Sequence, residues 1–269
     1  MSALNRKIHI FTNETEISRR MKVLLKRRMI EEGFTVSEAF SGDEELIVSI
    51  GGDGAFLRAL HSFDLPDIPF IGINTGHLGF FQEILPEQVD DFIDGYKRDK
   101  FKIQLLDTVR AVVQSDSGES EFVALNEIVI RGALSRIIHL IISIDGSYIE
   151  RFSGDGIIVS TPAGSTAYSY SLGGAIVDPR LSLLQLTPMA PMNTTAYRSF
   201  TSGILLPSDL SIGIQPEKEG EYGLNVSADG FEHKHTGIKN IEICKGGKTV
   251  KLLRFENYDF WNKVKTKFL

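Results

Sequence analysis

A carboxylate set among three glycines, Gly51-Gly52-Asp53-Gly54, ends the apolar run Leu46-Ile47-Val48-Ser49-Ile50 and precedes the helix-like Ala55-Phe56-Leu57-Arg58-Ala59-Leu60. Glycines at a strand end let bare backbone N–H groups approach an anion, and the N-terminus of the following helix adds a favourable dipole. Asp53 is the odd component, because a carboxylate repels phosphate. It suits a base aimed at a hydroxyl, or a ligand for a metal carried on phosphates. The structural alternative is a tight turn in which Asp53 caps the helix.

Three further segments carry more polar and glycine residues than a turn requires. Ile71-Gly72-Ile73-Asn74-Thr75-Gly76-His77-Leu78-Gly79-Phe80 again follows a strand, and reads as a ligand-facing loop in which His77 alone is weak evidence for catalysis. Leu125-Asn126-Glu127-Ile128 places an amide and a carboxylate side by side in an apolar strand, so at least one points inward or into a cleft and must find hydrogen bonds. Such a pair suits sugar hydroxyls or a ring amide. Ser153-Gly154-Asp155-Gly156 leads into a buried strand, and Ser160-Thr161-Pro162-Ala163-Gly164-Ser165-Thr166-Ala167-Tyr168 then opens a helix. Small hydroxyls and free N–H groups at a helix start make a cradle for a nucleotide; a capped helix explains one of those hydroxyls but not four.

Familiar alternatives are missing. Gly246-Gly247-Lys248-Thr249 lacks the upstream glycine of a P-loop, Ser165 is not in a nucleophile elbow because Ala163 replaces a required glycine, and Phe231-Glu232-His233-Lys234-His235 lacks zinc-site spacing and reads as solvent-exposed. No metal-ligating set stands out.

These residues need a frame. The first hundred residues alternate strand and helix: strands at Lys7–Phe11, Phe34–Val36, Leu46–Ile50 and Phe70–Ile73, a helix with Ile17, Met21, Leu24, Leu25 and Met29 on one face, and a helix opened by Pro86 with Val89, Phe92, Ile93 and Tyr96 on one side. This rhythm predicts a Rossmann-like α/β domain with a mostly parallel sheet over residues 1–101. Short strands then dominate residues 102–255, among them Ile128–Arg131, Ile137–Ile144, Ile157–Ser160, Ile241–Cys244 and Val250–Phe255, and predict a layered, sandwich-like β-rich domain. The tail, 256–269, returns to helix with Phe260, Trp261, Val264 and Phe268 on one face, and is expected to rejoin the first domain.

The chain has 269 residues, a net charge of −6, 42% hydrophobic and 24% charged residues, and one cysteine, Cys244. Acidity argues against a nucleic-acid partner, and no apolar run approaches the roughly 20 residues of a membrane helix. One cysteine excludes an intrachain disulfide framework and suits a reducing cytoplasm, with Cys244 as buried filler.

In this order, the four segments resemble the NAD kinase family over essentially the whole chain: Gly51–Gly54 its GGDG motif, Asn126-Glu127 its NE motif, and Gly154–Tyr168 its GDG…STPxGSTAY block. The turn alone is shared with phosphofructokinases and lipid kinases; the hydroxyl-rich block is the more specific part. The resemblance implies transfer of the ATP γ-phosphoryl group to the 2′-hydroxyl of the adenosine ribose of NAD, giving NADP. ATP or polyphosphate would be the donor, and a divalent cation, Mg²⁺ by expectation, would travel with ATP. It also implies a cytoplasmic homodimer or homotetramer. Asp53 matches the proton acceptor, and Gly51, Gly52 and Gly54 match phosphate contacts. Arg58, Asn74, Phe80, Asn126, Glu127 and Asp155 fall at substrate contacts, as do Arg136, Thr166, Ala167, Tyr168, Ser169, Tyr170, Ser171 and Ala190. Ser153 stands where the family usually has a basic residue, and Arg151, two residues back on the same strand face, is expected to compensate. Ala163 and Phe231 also depart from the usual residue types. The rival readings are a lipid or sugar kinase, which would not need the second-domain block, and an NAD-binding regulator without turnover.

Overall fold

The computed structural model describes residues 6–76, 79–195, 198–218 and 223–268. They divide into two compact units, Met1–Leu105 with Val250–Leu269, and Leu106–Thr249.

In the first unit, strands β1 (Lys7–Thr12), β2 (Thr35–Ser37), β3 (Leu46–Gly51), β4 (Phe70–Asn74) and β5 (Gln82–Ile84) alternate with helices α1 (Glu16–Glu31), α2 (Asp53–Ser62) and α3 (Val89–Lys97). The strands pair in parallel in the order β2-β1-β3-β4-β5. Every residue of β3 and β4 is buried, as a parallel sheet covered by helices requires. Both strands run with their carboxyl ends at the glycine-rich segments, where open α/β sheets hold ligands. α3 buries Val89, Phe92, Ile93 and Tyr96, the face its spacing predicts. α1 does not follow its apolar spacing so closely. Its buried residues are Ser18, Leu25 and Met29, while Ile17 is 64% and Leu24 39% exposed; the apolar arc is wider than the sheet it covers. Sequence periodicity also gave no sign of β5, which is only three residues long.

The second unit is built of β6 (Lys102–Ser115), β7 (Gly118–Ala124), β8 (Glu127–Gly132), β9 (Ile138–Ile144), β10 (Ser147–Gly154), β11 (Gly156–Ser160), the short helix α4 (Tyr168–Ser171), β12 (Leu183–Met189), β13 (Ile204–Pro207), β14 (Ile212–Pro216), β15 (Leu224–Ala228), β16 (Phe231–Lys234) and β17 (Asn240–Arg254). One antiparallel sheet has the order β10-β9-β14-β17, with β6 on β17 and β7 on β6; the other has the order β13-β12-β11-β8-β15-β16. A single core joins them, with Val109, Leu140, Phe152 and Ile243 from the first sheet and Ile128, Ile157, Leu186 and Val226 from the second. That is a two-layer sandwich.

Two expected strands, Ile241–Cys244 and Val250–Phe255, are one fifteen-residue strand, β17, with residues in both units. Gly246 does not break it, because it packs beside Thr108, whose hydroxyl donates to the Lys248 carbonyl. The segment from Phe231, expected to be solvent-exposed, forms β16; Phe231 and Glu232 are exposed, while His233 stacks on Phe122 with ring centroids 4.0 Å apart. Cys244 is half-buried. The final helix, α5 (Phe260–Phe268), belongs to the first unit; it buries Val264 and leaves Trp261 49% exposed.

Candidate functional site

In the first unit, the turn after β3 is shaped by steric need. Gly51 has φ +148°, and a Cβ there would lie 2.5 Å from that of Ala55 and 2.9 Å from Asn13 Nδ2. The side that Gly52 faces is open, with nothing within 4 Å of its Cβ position, and Arg58 lies exposed one turn along α2, 3.7 Å from the Cβ position of Gly54. Among the described residues Arg58 forms no ion pair. Backbone N–H groups, a helix N-terminus and a free guanidinium are the elements of an anion cradle.

Asp53 does not cap α2. The N-cap is Gly52, without a side-chain cap bond, and Asp53 is the first helical residue. Its carboxylate accepts from two consecutive backbone N–H groups, Phe80 N to Oδ2 at 2.8 Å and Phe81 N to Oδ1 at 3.0 Å. Gly79 must be glycine for this contact, since a Cβ there would lie 2.1 Å from Asp53 Oδ1. Phe81 stacks on Phe56, with centroids 4.7 Å apart, and the Phe80 ring meets Phe260 and Phe268 of α5 at 5.9 and 5.7 Å. Lys267 of α5 brings Nζ to 3.9 Å from Asp53 Oδ2, 4.7 Å over the Phe80 ring. Each Asp53 oxygen retains a lone pair, so the carboxylate is oriented yet able to accept a further proton donor. Asn74 turns inward on its own loop, its Oδ1 accepting from Gly76 N at 2.9 Å. His77 and Leu78 lie outside the described residues.

In the second unit, the predicted residues gather at the two ends of the β8–β11 pair. At one end are Asn126 and Glu127, 5% and 6% exposed. The Asp229 carboxylate accepts from three consecutive N–H groups there, Leu125 at 2.8 Å, Asn126 at 2.7 Å and Glu127 at 3.4 Å. Asp229-Gly230 is the two-residue loop of the β15–β16 hairpin, with both φ angles positive. Asn126 Oδ1, Glu127 Oε2 and, opposite Glu127 in the register, Ser160 Oγ are buried with no hydrogen-bond partner. Three such atoms in one place are unusual, because an unsatisfied buried polar group costs about 1–3 kcal/mol. Burial, then the neighbouring Asp229 carboxylate, push the Glu127 carboxyl up to about 8, against a smaller opposing effect of the Tyr168 N–H. Near neutrality Glu127 is therefore largely a carboxylic acid, able both to donate and to accept.

The hydroxyl-rich block beside them divides by role. Thr161 donates to the Leu125 carbonyl at 2.6 Å, and Ser165 bonds to Pro162 O and Val177 N. Ser169, expected to face the ligand, is fully buried, its hydroxyl shared between Thr187 at 3.0 Å and Gln185 Nε2 at 2.9 Å. These hydroxyls brace the turn. Thr166 and Ala167 sit at its apex, and Tyr168, Tyr170 and Ser171 are the exposed members.

At the other end, Asp155 projects exposed between Gly154 and Gly156, its N–H donating to Met189 O at 3.0 Å, which brings it beside exposed Ala190 (φ +42°). Exposed Arg136 lies close by, its carbonyl against Gly132, whose N–H donates to Asp155 O. Ser153 is fully buried, bonded through its hydroxyl to His139 Nδ1 at 2.7 Å, while Arg151 is ion-paired with Glu217 at 2.7 Å. The imidazole beside Ser153 is on the neighbouring strand β9, so no local pattern hints at it. Asp229 and Lys267 were also unmarked as site residues; the Asp-Gly hairpin signal was the one clue to Asp229.

The family model of the ATP-NAD kinase N-terminal domain matches residues 8–101 and that of the C-terminal domain residues 125–255. An NAD kinase from Finegoldia magna is 36% identical over 267 residues, 97% of each chain, and one from Latilactobacillus sakei is 33% identical over 98% of this chain and 97% of its own. The crystal structure of an NAD kinase from Archaeoglobus fulgidus in complex with ATP aligns with a TM-score of 0.74 and 26% identity, covering 97% of this chain and 99% of that one. A yeast NADH kinase complexed with NADH shares the fold, with a TM-score of 0.84 at 18% identity over 97% of this chain and 86% of its own.

Proposed function

The chain belongs to the ATP-NAD kinase family, and on that premise we propose that it transfers the γ-phosphoryl group of ATP to the 2′-hydroxyl of the adenosine ribose of NAD, giving NADP and ADP. The observation that carries this reading is the trio of buried, unpartnered acceptors at the start of β8, Asn126 Oδ1, Glu127 Oε2 and Ser160 Oγ. They suit the amino and hydroxyl groups of an adenosine, which would satisfy atoms the protein leaves unsatisfied.

The second unit thus binds. Thr166, Ala167, Tyr168, Tyr170 and Ser171 add backbone and exposed side chains on one side, with Ser169 as their brace. Arg136, Asp155 and Ala190 contact the far portion of the dinucleotide. The first unit does the chemistry. Asp53 accepts the proton of the 2′-hydroxyl as the oxygen–phosphorus bond forms and the bond to the leaving ADP oxygen breaks. Gly51, Gly52 and Gly54 present N–H groups to the phosphates, and Arg58 and Lys267 add positive charge; such electrostatic help is the larger part of phosphoryl-transfer catalysis. Asn74 and Phe80 shape the loop that faces Asp53.

Among the described residues no group of three or more His, Cys, Asp or Glu is placed to hold a metal ion. We infer that a divalent cation, Mg²⁺ for preference, arrives on the ATP phosphates as part of the substrate. We further infer a cytoplasmic homodimer or homotetramer; among the described residues no helix is long and apolar enough to cross a membrane.

The test is direct. Incubation with NAD, ATP and Mg²⁺ yields NADP, polyphosphate in place of ATP reports the donor range, and excess EDTA abolishes turnover. NAD binding with no NADP formed under any of these conditions would return the chain to the regulator reading. Light scattering of the same preparation gives the oligomeric state.

A further inference from the structure

The loop that holds Asp53 is itself held from behind. Arg254, at the end of β17, is 3% exposed, and its guanidinium uses all its faces. Nε donates to Gln104 Oε1 at 2.9 Å, Nη1 to Glu83 Oε2 at 2.8 Å and Nη2 to the Phe80 carbonyl at 3.0 Å, with the Tyr258 ring 3.7 Å from the guanidinium carbon. Lys263 of α5 donates to the Gln82 carbonyl and reaches Glu83 Oε2 at 3.4 Å and the Phe80 carbonyl at 3.5 Å. Both cations thus converge on the oxygen of the Phe80–Phe81 peptide, whose N–H, on the opposite edge of the same plane, donates to Asp53 Oδ1.

We propose that Arg254, Glu83 and Lys263 are positioning residues for phosphoryl transfer, fixing and polarising the Phe80–Phe81 peptide so that it holds the Asp53 carboxylate in the orientation that accepts the hydroxyl proton. This rests on the assignment of Asp53 as proton acceptor. A peptide whose carbonyl is bound by buried cations becomes a stronger donor at its N–H, since chained hydrogen bonds polarise one another. A small misplacement of a reacting group is costly in rate, so a rigid mount matters.

The cluster also contains a titrating member. Burial, and secondarily Arg254, push the Lys263 ammonium down to about 8, with Glu83 and Asp53 acting in the opposite direction. The charged groups facing it are Glu83 from β5, Arg254 from β17 and Asp53 from α2. Asp91 of α3 and Asp259 line the same cavity of about 370 Å³ beside it. Loss of the Lys263 proton weakens one of the two pulls on the Phe80 carbonyl. Turnover therefore declines as pH rises through about 8.

The experiment compares wild type, Lys263→Arg, Lys263→Met and Asp53→Asn, measuring kcat and both KM values from pH 6.5 to 9.5, with melting temperature. A guanidinium keeps its charge over this range, so Lys263→Arg should hold kcat constant where wild type declines. Lys263→Met should lose about ten- to thirtyfold in kcat at pH 6.5, a deficit that narrows toward pH 9.5 as wild type declines, with KM for NAD and ATP within about threefold. If Asp53→Asn retains more than about a third of wild-type turnover, the Asp53 assignment falls, and this proposal with it. If Asp53→Asn is inactive but Lys263→Arg shows the same alkaline decline as wild type, the positioning role alone is overturned. Should Lys263→Met not fold, the Lys263→Arg profile decides.

Discussion

Two carboxylates anchor the chemistry proposed for this chain, and they are treated in opposite ways. Asp53, after β3, is complete without any ligand: each oxygen has a backbone N–H, and a lysine stands 3.9 Å away. Glu127, at the start of β8, is left incomplete, with a buried oxygen lacking a partner beside an equally unpartnered Asn126 oxygen. A group that must be in place before substrate arrives is held by the protein. A group whose task is to recognise substrate is left for the substrate to satisfy, and its cost in the free protein becomes affinity on binding.

The contrast can be broken most severely at Asp53. Replacement by Asn keeps the size but removes the base, so turnover should fall by about 10²–10⁴. NAD affinity should change less than about tenfold, since Asp53 is not asked to bind. A protein that instead melts at lower temperature and turns over normally would make Asp53 a structural pin.

Glu127 sharpens the contrast through pH. Its folded-state pKa, about 8, lies above the usual carboxylate value of 4.5, so folding favours the protonated form. Its contribution to stability is full below pH 4.5 and is lost as pH rises through 8. On the order of 3 kcal/mol should disappear between pH 5 and 8 through this one group. Chemical denaturation of Glu127→Gln should lack that part of the slope; identical slopes in the two proteins would place the burial elsewhere.

A smaller effect is expected at Asn126. Asn126→Leu removes an unsatisfied buried oxygen, and should raise the melting temperature of the free protein by about 2–4 °C. The same change should weaken NAD binding by about ten- to a hundredfold, measured by calorimetry, because about 1–3 kcal/mol of ligand hydrogen bonding is lost. Parallel loss of stability and affinity would mean that Asn126 already has its partners.

The smallest effect is at Arg151. Its charge is engaged by Glu217 at 2.7 Å, on a side chain 42% exposed, and Ser153 is served by His139. Exposed pairs of this kind are worth about 0–1 kcal/mol, so Arg151→Ala should change KM for NAD by less than about fivefold. A larger rise would restore Arg151 as the stand-in for the cation missing at Ser153.

What the sequence showed follows from the range of each signal. Motif turns and strand runs such as β3, β4 and β11 are local, and their residues announce them. The long strand β17 was read as two because glycines at 246 and 247 normally end a strand; only the Thr108 contact shows why they do not. Asp53 was legible as a chemical group, but not its hold on Phe80 and Phe81, which lie 27 and 28 residues away. Ser169 read as a ligand contact because its type fits a nucleotide cradle; its burial against Gln185 and Thr187 depends on β12, a strand whose internal Pro188 obscures it. Periodicity reports the face of an element, and cannot report what lies across from it.

The first unit is interrupted, and its last pieces, residues 250–269, follow the whole of the second. During synthesis at about 5–20 residues per second, the loop opposite Asp53 waits roughly 10–40 s for the strand end and helix that hold it. The nascent chain thus completes the second unit before the mount proposed for Asp53. A ribosome-bound chain cut short before Val250 would carry the Asn126–Glu127 end of β8 without Arg254, Lys263 or Lys267. A product that stops before residue 250 therefore lacks the groups proposed to steady Asp53.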